Sequence, residues 1–151
     1  MADYVIIMGY DEHWRGCGNA GSVASIGFVD EGIARTIEEV PAEKVINAVP
    51  FYTLVWKTDG GVITDETLTM ANSAAFIKRN KLTPTWNEET CQNYVEFESG
   101  SALYQVWFED VQSLQVKMNV MNKHGVAGIA GWSLGLQSKD VWPLFEAYVH
   151  S

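Results

Sequence analysis

The sequence predicts an α/β fold in which three parallel βα units carry an inserted α+β lobe. The run Val5–Met8 is apolar on both faces, which is typical of a strand in a parallel sheet. From there to Tyr52 the chain reads as strand, helix and strand, as in a βαβ crossover. Further along, the alternating stretches Gln92–Glu98 and Ala102–Phe108 meet at Ser99-Gly100, which indicates an antiparallel hairpin.

The first βα unit begins with the strand Val5–Met8 and continues into a glycine-rich loop of sequence RGCGNAGS. Ser22 or Ser25 can cap the helix that follows, and this helix runs to about Glu39 before Val40-Pro41 ends it. Its predicted buried stripe consists of Ile26, Val29, Ile33 and Ile37. The second strand is predicted over Lys44–Tyr52, with Pro50 near its mouth.

The middle of the chain has a different pattern. The segment Trp56–Ile63 is rich in turn residues, and Thr69 can cap a helix that closes near Asn80. Three strands are predicted after that helix, at Thr85–Asn87, Gln92–Glu98 and Ala102–Phe108. A helix and an antiparallel sheet between βα units indicate an inserted lobe.

The last part of the chain returns to βα units. Asp110 can cap a helix that Gly125 ends, the third strand is predicted over Val126–Trp132, and Ser138 is the predicted start of the last helix. The predicted inner face of the first of these helices consists of Val111, Leu114, Met118 and Met121. Three strands cannot close a barrel, and an open sheet of three would expose two edges, so we expect a missing part or a partner.

Composition narrows the classes of function. The chain has 151 residues and a net charge of -9, which argues against nucleic acid or an anionic membrane surface as a partner. Cys17 and Cys91 lack a CxxC neighbour, so we expect neither zinc nor thioredoxin-like chemistry, and no cofactor. No apolar run has membrane-spanning length and no secretory signal is evident. The abrupt start suggests an artificial boundary or a truncated gene product.

Tyr10 and Asp11 are the first candidates for function. They follow the first strand directly, and polar residues at the carboxyl ends of barrel strands lie where chemistry is done. The alternative is structural: a buried tyrosine whose hydroxyl group bonds a neighbouring carboxylate. The pattern alone leaves both interpretations open.

Four segments together resemble the family 18 glycoside hydrolases, and in particular the bacterial branch associated with spore peptidoglycan and cell walls. MGYD, which is Met8–Asp11, is similar to the family's M-x-Y-D strand end. KVINAVPFYTLVW from Lys44 is similar to the next strand, which usually ends in PFYGRxW. WFEDVQSLQVK from Trp107 and GVAGIAGWSLG from Gly125 are similar to the segment that leaves the inserted lobe and to the last barrel strand.

The resemblance implies a partial (β/α)8 TIM barrel. The family fold has eight βα units, and this chain would supply strands six to eight with their helices. Residues 1–57 and 108–151 would form the partial barrel, and residues 58–107 would form the inserted α+β lobe, similar to a chitinase insertion.

The resemblance also implies a reaction, of which this chain would carry one half. Family members cleave β-1,4 links beside an N-acetylated sugar, whose acetamido oxygen attacks the anomeric carbon while a glutamic acid protonates the leaving oxygen. That glutamate closes a D-x-x-D-x-D-x-E motif, and none of this chain's acidic clusters has that spacing. We therefore expect the chain alone to lack the general acid and to be inactive.

The supporting residues of the site are present. By resemblance, Tyr10 would hydrogen-bond the acetamido carbonyl, Asp11 would bond the same sugar, and Trp132 would form the floor beneath it. Tyr52 and Trp56 match the PFYxxxW pattern and would line the cleft. The chain departs from the family at two places, since Thr53-Leu54 stands where Gly-Arg is usual and Gln112 stands where arginine is common in this branch.

Three functions remain open at this point. The chain is a substrate-binding portion of a hydrolase acting on chitin or peptidoglycan, a non-catalytic glycan-binding module, or a truncated fragment that self-associates. The implied partners are an N-acetylated polysaccharide together with an upstream half of the barrel or a second copy, and the implied location is cell wall, spore or secreted. Trp14 is a candidate sugar platform, whereas Trp86, Trp107 and Trp142 are expected in the core.

Overall fold

The computed structural model of the chain describes residues 2–149 and has α/β architecture. Its elements, in chain order, are β1 (Val5–Met8), α1 (Ile26–Ile37), a 3-10 turn (Ala42–Lys44), β2 (Val45–Pro50), β3 (Tyr52–Asp59), β4 (Val62–Thr69), α2 (Met70–Arg79), β5 (Thr85–Asn87), β6 (Gln92–Ser99), β7 (Ala102–Phe108), α3 (Val111–His124), β8 (Gly128–Trp132) and α4 (Val141–Val149). No helix within residues 2–149 has both the length and the apolar character needed to cross a bilayer.

The first sheet contains the three predicted parallel strands in the order β1-β2-β8. Val5 lies opposite Val45, and at the far end of β2 Pro50 lies opposite Trp132. Because all three strands run the same way, their carboxyl ends lie along one edge of the sheet. The residues that follow β1, β2 and β8 are therefore brought together.

Helix α1 covers one face of this sheet. Of the two predicted caps, Ser25 is the one used, since its side chain accepts a hydrogen bond from the Phe28 backbone N–H. The helix ends at Ile37, slightly earlier than predicted. Val29 and Ile33 form its buried stripe and pack against Met121 of α3.

The prediction that β1 is buried on both faces is wrong. Ile7 packs against the cluster beneath α1, but Ile6 and Met8 are 59% and 69% exposed. The physical reason is the alternation of side chains along the strand: Ile6 and Met8 lie on the face opposite Ile7, and within residues 2–149 no element packs over them. The open apolar surface lies on β1, since five of the six residues of β2 are buried.

Residues 52–108 build a second, five-stranded antiparallel sheet in the order β4-β3-β7-β6-β5, with α2 after β4. Its buried core is formed by Val55, Leu68, Val95, Val106 and Phe108. The strands β5 to β7 and the cap of α2 at Thr69 are confirmed. The division into domains at residues 57 and 108 stays a prediction, and β3, which begins at Tyr52, belongs to the second sheet.

The interpretation of Trp56–Ile63 as a turn-rich connection is wrong. This segment is the tip of a hairpin in which eight residues of β3 pair with eight of β4. Only Gly60 and Gly61 form the turn, both with positive φ of 55° and 80°. Two consecutive left-handed residues are what a tight hairpin of this kind requires, so the glycines mark the turn and their neighbours are strand.

Helix α3 is confirmed together with both of its ends. The Asp110 side chain accepts from the Ser113 N–H, the Ser113 hydroxyl accepts from the Asp110 N–H, and Gly125 ends the helix in the left-handed conformation at φ 68°. A charged residue, Lys117, is buried on the inner face, with Nζ 2.7 Å from an oxygen of Glu109. The apolar stripe read from the sequence does not indicate that buried ion pair.

Candidate functional site

The carboxyl ends of the parallel strands are tied together by backbone hydrogen bonds. The Gly9 N–H donates to Ala48 O at 3.0 Å, and the Phe51 N–H donates to Trp132 O at 2.8 Å. At Gly9 an added Cβ would lie 2.7 Å from both Ala48 O and an oxygen of Asn47, so only glycine allows this approach. The geometry brings the residues after β1, β2 and β8 to one place.

Tyr10 and Trp132 are neighbours in the structure, although 122 positions separate them in the sequence. The resemblance predicts that they share a sugar site. Their ring centroids lie 6.3 Å apart with planes 21° from parallel, an offset-stacked arrangement. Trp132 nevertheless keeps 56% of its surface exposed at the end of β8. A flat apolar face is thus open to a ligand and is supported by the tyrosine ring at its side.

Asp11 and Tyr52 form a hydrogen-bonded pair in which the Tyr52 hydroxyl group donates to the Asp11 carboxylate. Asp11 has φ 62°, a left-handed conformation that few residues other than glycine, asparagine and aspartate adopt readily. That backbone turn directs Asp11 away from the line of β1. The carboxylate is exposed, and Tyr52 holds one of its oxygens.

Both phenols of the site are held neutral. Burial and the nearby Asp11 carboxylate raise the pKa of Tyr10. Burial, followed by the hydrogen bond and charge of Asp11, raises the pKa of Tyr52 far above that of a free tyrosine. Near neutral pH both hydroxyl groups are therefore hydrogen-bond donors, and neither serves as a base.

A cleft of about 370 Å³ opens at this edge of the sheet. Three of the predicted site residues line it: Asp11, Tyr52 and Trp132. The remaining lining residues are Trp14, Arg15, Thr67 and Leu136. Trp14 was a predicted sugar platform, whereas Arg15, Thr67 and Leu136 were not predicted; Thr67 lies on β4, whose strand character the sequence interpretation missed.

Trp56 was predicted to line the cleft, but its side chain lies in the core. It packs with Val23 and Leu54, and its indole N–H donates to Gly21 O at 2.8 Å. Side chains alternate between the two faces of β3, but Thr53–Trp56 are all buried, so both faces of the strand are covered there. The indole of Trp56 is therefore enclosed. Trp142, expected in the core, is instead exposed on α4.

The loop residues Glu12 and His13 have structural roles. Glu12 accepts a hydrogen bond from the Ser25 N–H at 2.8 Å, at the start of α1. His13 Nδ1 lies 2.8 Å from Ser22 O, and its ring packs where a Cβ on Gly21 would stand. These contacts fix the loop that follows the candidate site.

Within residues 2–149, no group of three histidine, cysteine, aspartate or glutamate side chains is placed to hold a metal ion.

The site therefore offers an exposed carboxylate held by the Tyr52 hydroxyl group, a flat apolar face at Trp132 and, beside them, the neutral hydroxyl group of Tyr10 as a donor. An N-acetylated sugar presents complementary groups: a carbonyl that accepts, an amide and hydroxyl groups that donate, and an apolar ring face. These side-chain groups are suited to binding and orienting such a sugar. None of the residues that line the cleft is a glutamate available as a general acid.

The comparisons with known proteins identify the family. Residues 1–137 match the sequence model described as glycosyl hydrolases family 18. The chain is 29% identical over 147 residues to the cortical fragment-lytic enzyme of Bacillus anthracis, covering 95% of this chain and 34% of that protein. It is 28% identical over 145 residues to the uncharacterized glycosylase YvbX of Bacillus subtilis strain 168, covering 93% of this chain and 41% of that protein.

About a third of one solved structure has the same arrangement of strands and helices as this chain. The crystal structure of the Bacillus cereus spore cortex-lytic enzyme SleL superposes with a TM-score of 0.86 at 26% identity, covering 97% of this chain and 35% of that one. The chain thus spans between a third and about two fifths of the length of these relatives. The resemblance read from the four motifs is confirmed: this chain belongs to glycosyl hydrolase family 18.

Proposed function

We propose that this chain is the C-terminal portion of a family 18 glycoside hydrolase and supplies the sugar-binding half of its site. The observation that carries the proposal is the cleft in which Asp11, Tyr52 and Trp132 meet, beside the ring of Tyr10. The substrate class is a glycan with N-acetylated sugars, such as chitin or peptidoglycan. Membership of the family and the three-strand edge that gathers these residues support it.

In this proposal each residue has a role in holding the reacting sugar. Tyr10 donates to the acetamido carbonyl oxygen, which keeps that oxygen placed for attack on the anomeric carbon. Asp11, positioned by Tyr52, accepts a hydrogen bond from the same sugar, and Trp132 supports its apolar face. Because both phenols stay protonated near neutral pH, Tyr10 can donate to the sugar while Tyr52 donates to Asp11.

The general acid comes from another part of the barrel. A D-x-x-D-x-D-x-E motif does not occur in the sequence, and proton donation to a leaving group is worth about 10²–10⁴ in rate. We take β1, β2 and β8 as strands six to eight of a (β/α)8 barrel, and the five-stranded sheet with α2 as its inserted lobe. Three parallel strands followed by helices, with an antiparallel sheet between the second and third, support this assignment.

The missing part of the barrel would cover the apolar face that β1 leaves open at Ile6 and Met8. A second copy of this chain would suit the same face, because unpaired strand edges and exposed apolar side chains both favour association. The chain by itself is then expected to self-associate. A strictly monomeric species in analytical ultracentrifugation would contradict that expectation.

A non-catalytic glycan-binding module is the second candidate function. The cleft together with the absence of the acid motif favours it, since binding would persist where catalysis does not. The two candidates share the same residues and differ only in whether a catalytic half joins them.

A fluorogenic N-acetylglucosamine oligomer tests the proposal. The chain alone should bind the oligomer at millimolar concentration but release no fluorophore above the level of its Tyr10→Phe variant. Turnover by the chain that Tyr10→Phe abolishes would show that the acid is present after all. Absence of any binding would remove both candidate functions.

A further inference from the structure

One positive charge stands at the mouth of the cleft. Arg15 follows Trp14 in the loop after β1, and its side chain is 71% exposed. It lines the cleft and also an adjoining groove of about 490 Å³, which it shares with the tip residues of the β3–β4 hairpin. Of the described residues that line these two spaces, Arg15 is the only cation.

Arg15 is held in place rather than loosely solvated. Its Nε donates to one oxygen of Asp65 at 3.3 Å, and the Gly16 N–H donates to the other oxygen at 2.7 Å. The Asp65 side chain is only 9% exposed, so the loop is fixed to β4 by a largely buried carboxylate. A guanidinium has five N–H donors, and this contact uses one of them.

The geometry points to a specificity role, which rests on the proposed function. We propose that Arg15 selects glycans that carry a carboxylate beside the sugar held on Trp132, such as the free lactyl carboxylate of N-acetylmuramic acid in peptidoglycan strands from which the stem peptide has been removed. The terminal amino groups of a guanidinium match a carboxylate in a two-pronged contact. Asp11 also lines the cleft, and its negative charge repels a ligand carboxylate. The acidic substituent is therefore directed away from Asp11 and toward Arg15.

The net charge of the chain makes this local cation matter. At -9 the protein as a whole repels an anionic glycan, and an uncharged cleft would favour chitin over an acidic polymer. Asp65 already pairs with this cation, so the preference for an acidic ligand comes from direct contact: the guanidinium N–H groups that Asp65 leaves free can donate charge-assisted hydrogen bonds to a carboxylate. Chitin has no group for Arg15 to recognise in this way.

Calorimetric titration with three tetrasaccharides of equal length tests the inference. The ligands are chitotetraose, a tetrasaccharide alternating N-acetylglucosamine with N-acetylmuramic acid, and the same tetrasaccharide with its lactyl groups amidated. Arg15→Gln should weaken binding of the acidic ligand by about two- to fivefold and leave the other two unchanged. Arg35→Gln, which removes an exposed, carboxylate-paired arginine of α1, is the matched control and should change nothing.

The outcomes separate the two proposals. Equal binding of all three ligands by the unmodified chain, or an equal loss for all three in Arg15→Gln, would overturn the selectivity while the sugar site stands. Failure of every ligand to bind the unmodified chain would overturn the proposed function and this inference with it. Loss of the acidic preference between 0.05 and about 0.5 M salt would support the charge as its cause.

Discussion

Replacement of Trp132 by alanine measures how much the floor of the cleft contributes to sugar binding. A tryptophan side chain has a surface of up to about 250 Å², and Trp132 leaves 56% of its surface open, or about 140 Å². A pyranose ring that covers half of that area removes about 70 Å² of apolar surface from water. At about 25 cal/mol per Å² this is worth about 1.8 kcal/mol, or about 20-fold in affinity.

The assay is isothermal titration with chitotetraose at fixed pH and salt. The control is Trp142→Ala, which removes an exposed tryptophan of α4 that does not line the cleft. Trp132→Phe keeps a flat ring and should retain part of the affinity. Circular dichroism of each variant checks that the fold is unchanged.

Two results would refute this reasoning. One is a loss of less than about threefold in Trp132→Ala, since the sugar would then make little contact with the indole face. The other is an equal loss in Trp142→Ala, because that would trace the effect to the fold and not to the cleft. Either result would leave Trp132 as a residue that merely closes the end of the sheet.

Two further predictions concern stability. Lys117→Met leaves the buried Glu109 carboxylate without its ion-pair partner and should lower the free energy of unfolding by about 3–5 kcal/mol. The control Lys123→Met, which removes an exposed ion pair on the same helix, should lower it by less than about 1 kcal/mol. Similar urea midpoints for the two variants would contradict this prediction. The hydrogen bond from His124 lowers the pKa of Asp30. Asp30→Asn should therefore be less stable than the unmodified chain above about pH 4. The difference in stability should vanish as the pH falls through the lowered pKa. Thermal melts between pH 7 and pH 2.5 measure it, and a gap that persists at the lowest pH would count against it.

The sequence was informative wherever local chemistry decides the structure. Thr69 and Asp110 cap helices because a side-chain oxygen satisfies backbone N–H groups a few residues away, and Gly125 ends α3 because it adopts positive φ readily. The parallel strands were predictable because a segment with helical periodicity separates one short apolar run from the next. Tyr10 and Asp11 could be singled out because polar residues directly follow such a run.

Features that depend on distant contacts were not predictable. The exposure of Ile6 and Met8 depends on what covers the second face of β1, and the run of apolar letters carries no information about that. Trp56 and Trp132 both match family motifs, yet Trp56 is buried against the loop that follows β1 and Trp132 is open. Lys117 is buried because its ammonium group pairs with Glu109, eight residues earlier and just ahead of α3, and hydrophobic periodicity does not reveal such a pair.

The most direct test of the sugar site is a nuclear magnetic resonance titration of the unmodified chain with chitotetraose, followed through its six tryptophan indole N–H signals. We expect the Trp132 and Trp14 signals to move as the cleft fills. The signals of Trp56, whose indole bonds Gly21 O in the core, and of Trp142 on α4 should stay in place. No movement of Trp132 at millimolar ligand, or movement centred on Trp142, would contradict the claim that the ends of β1, β2 and β8 hold an N-acetylated sugar.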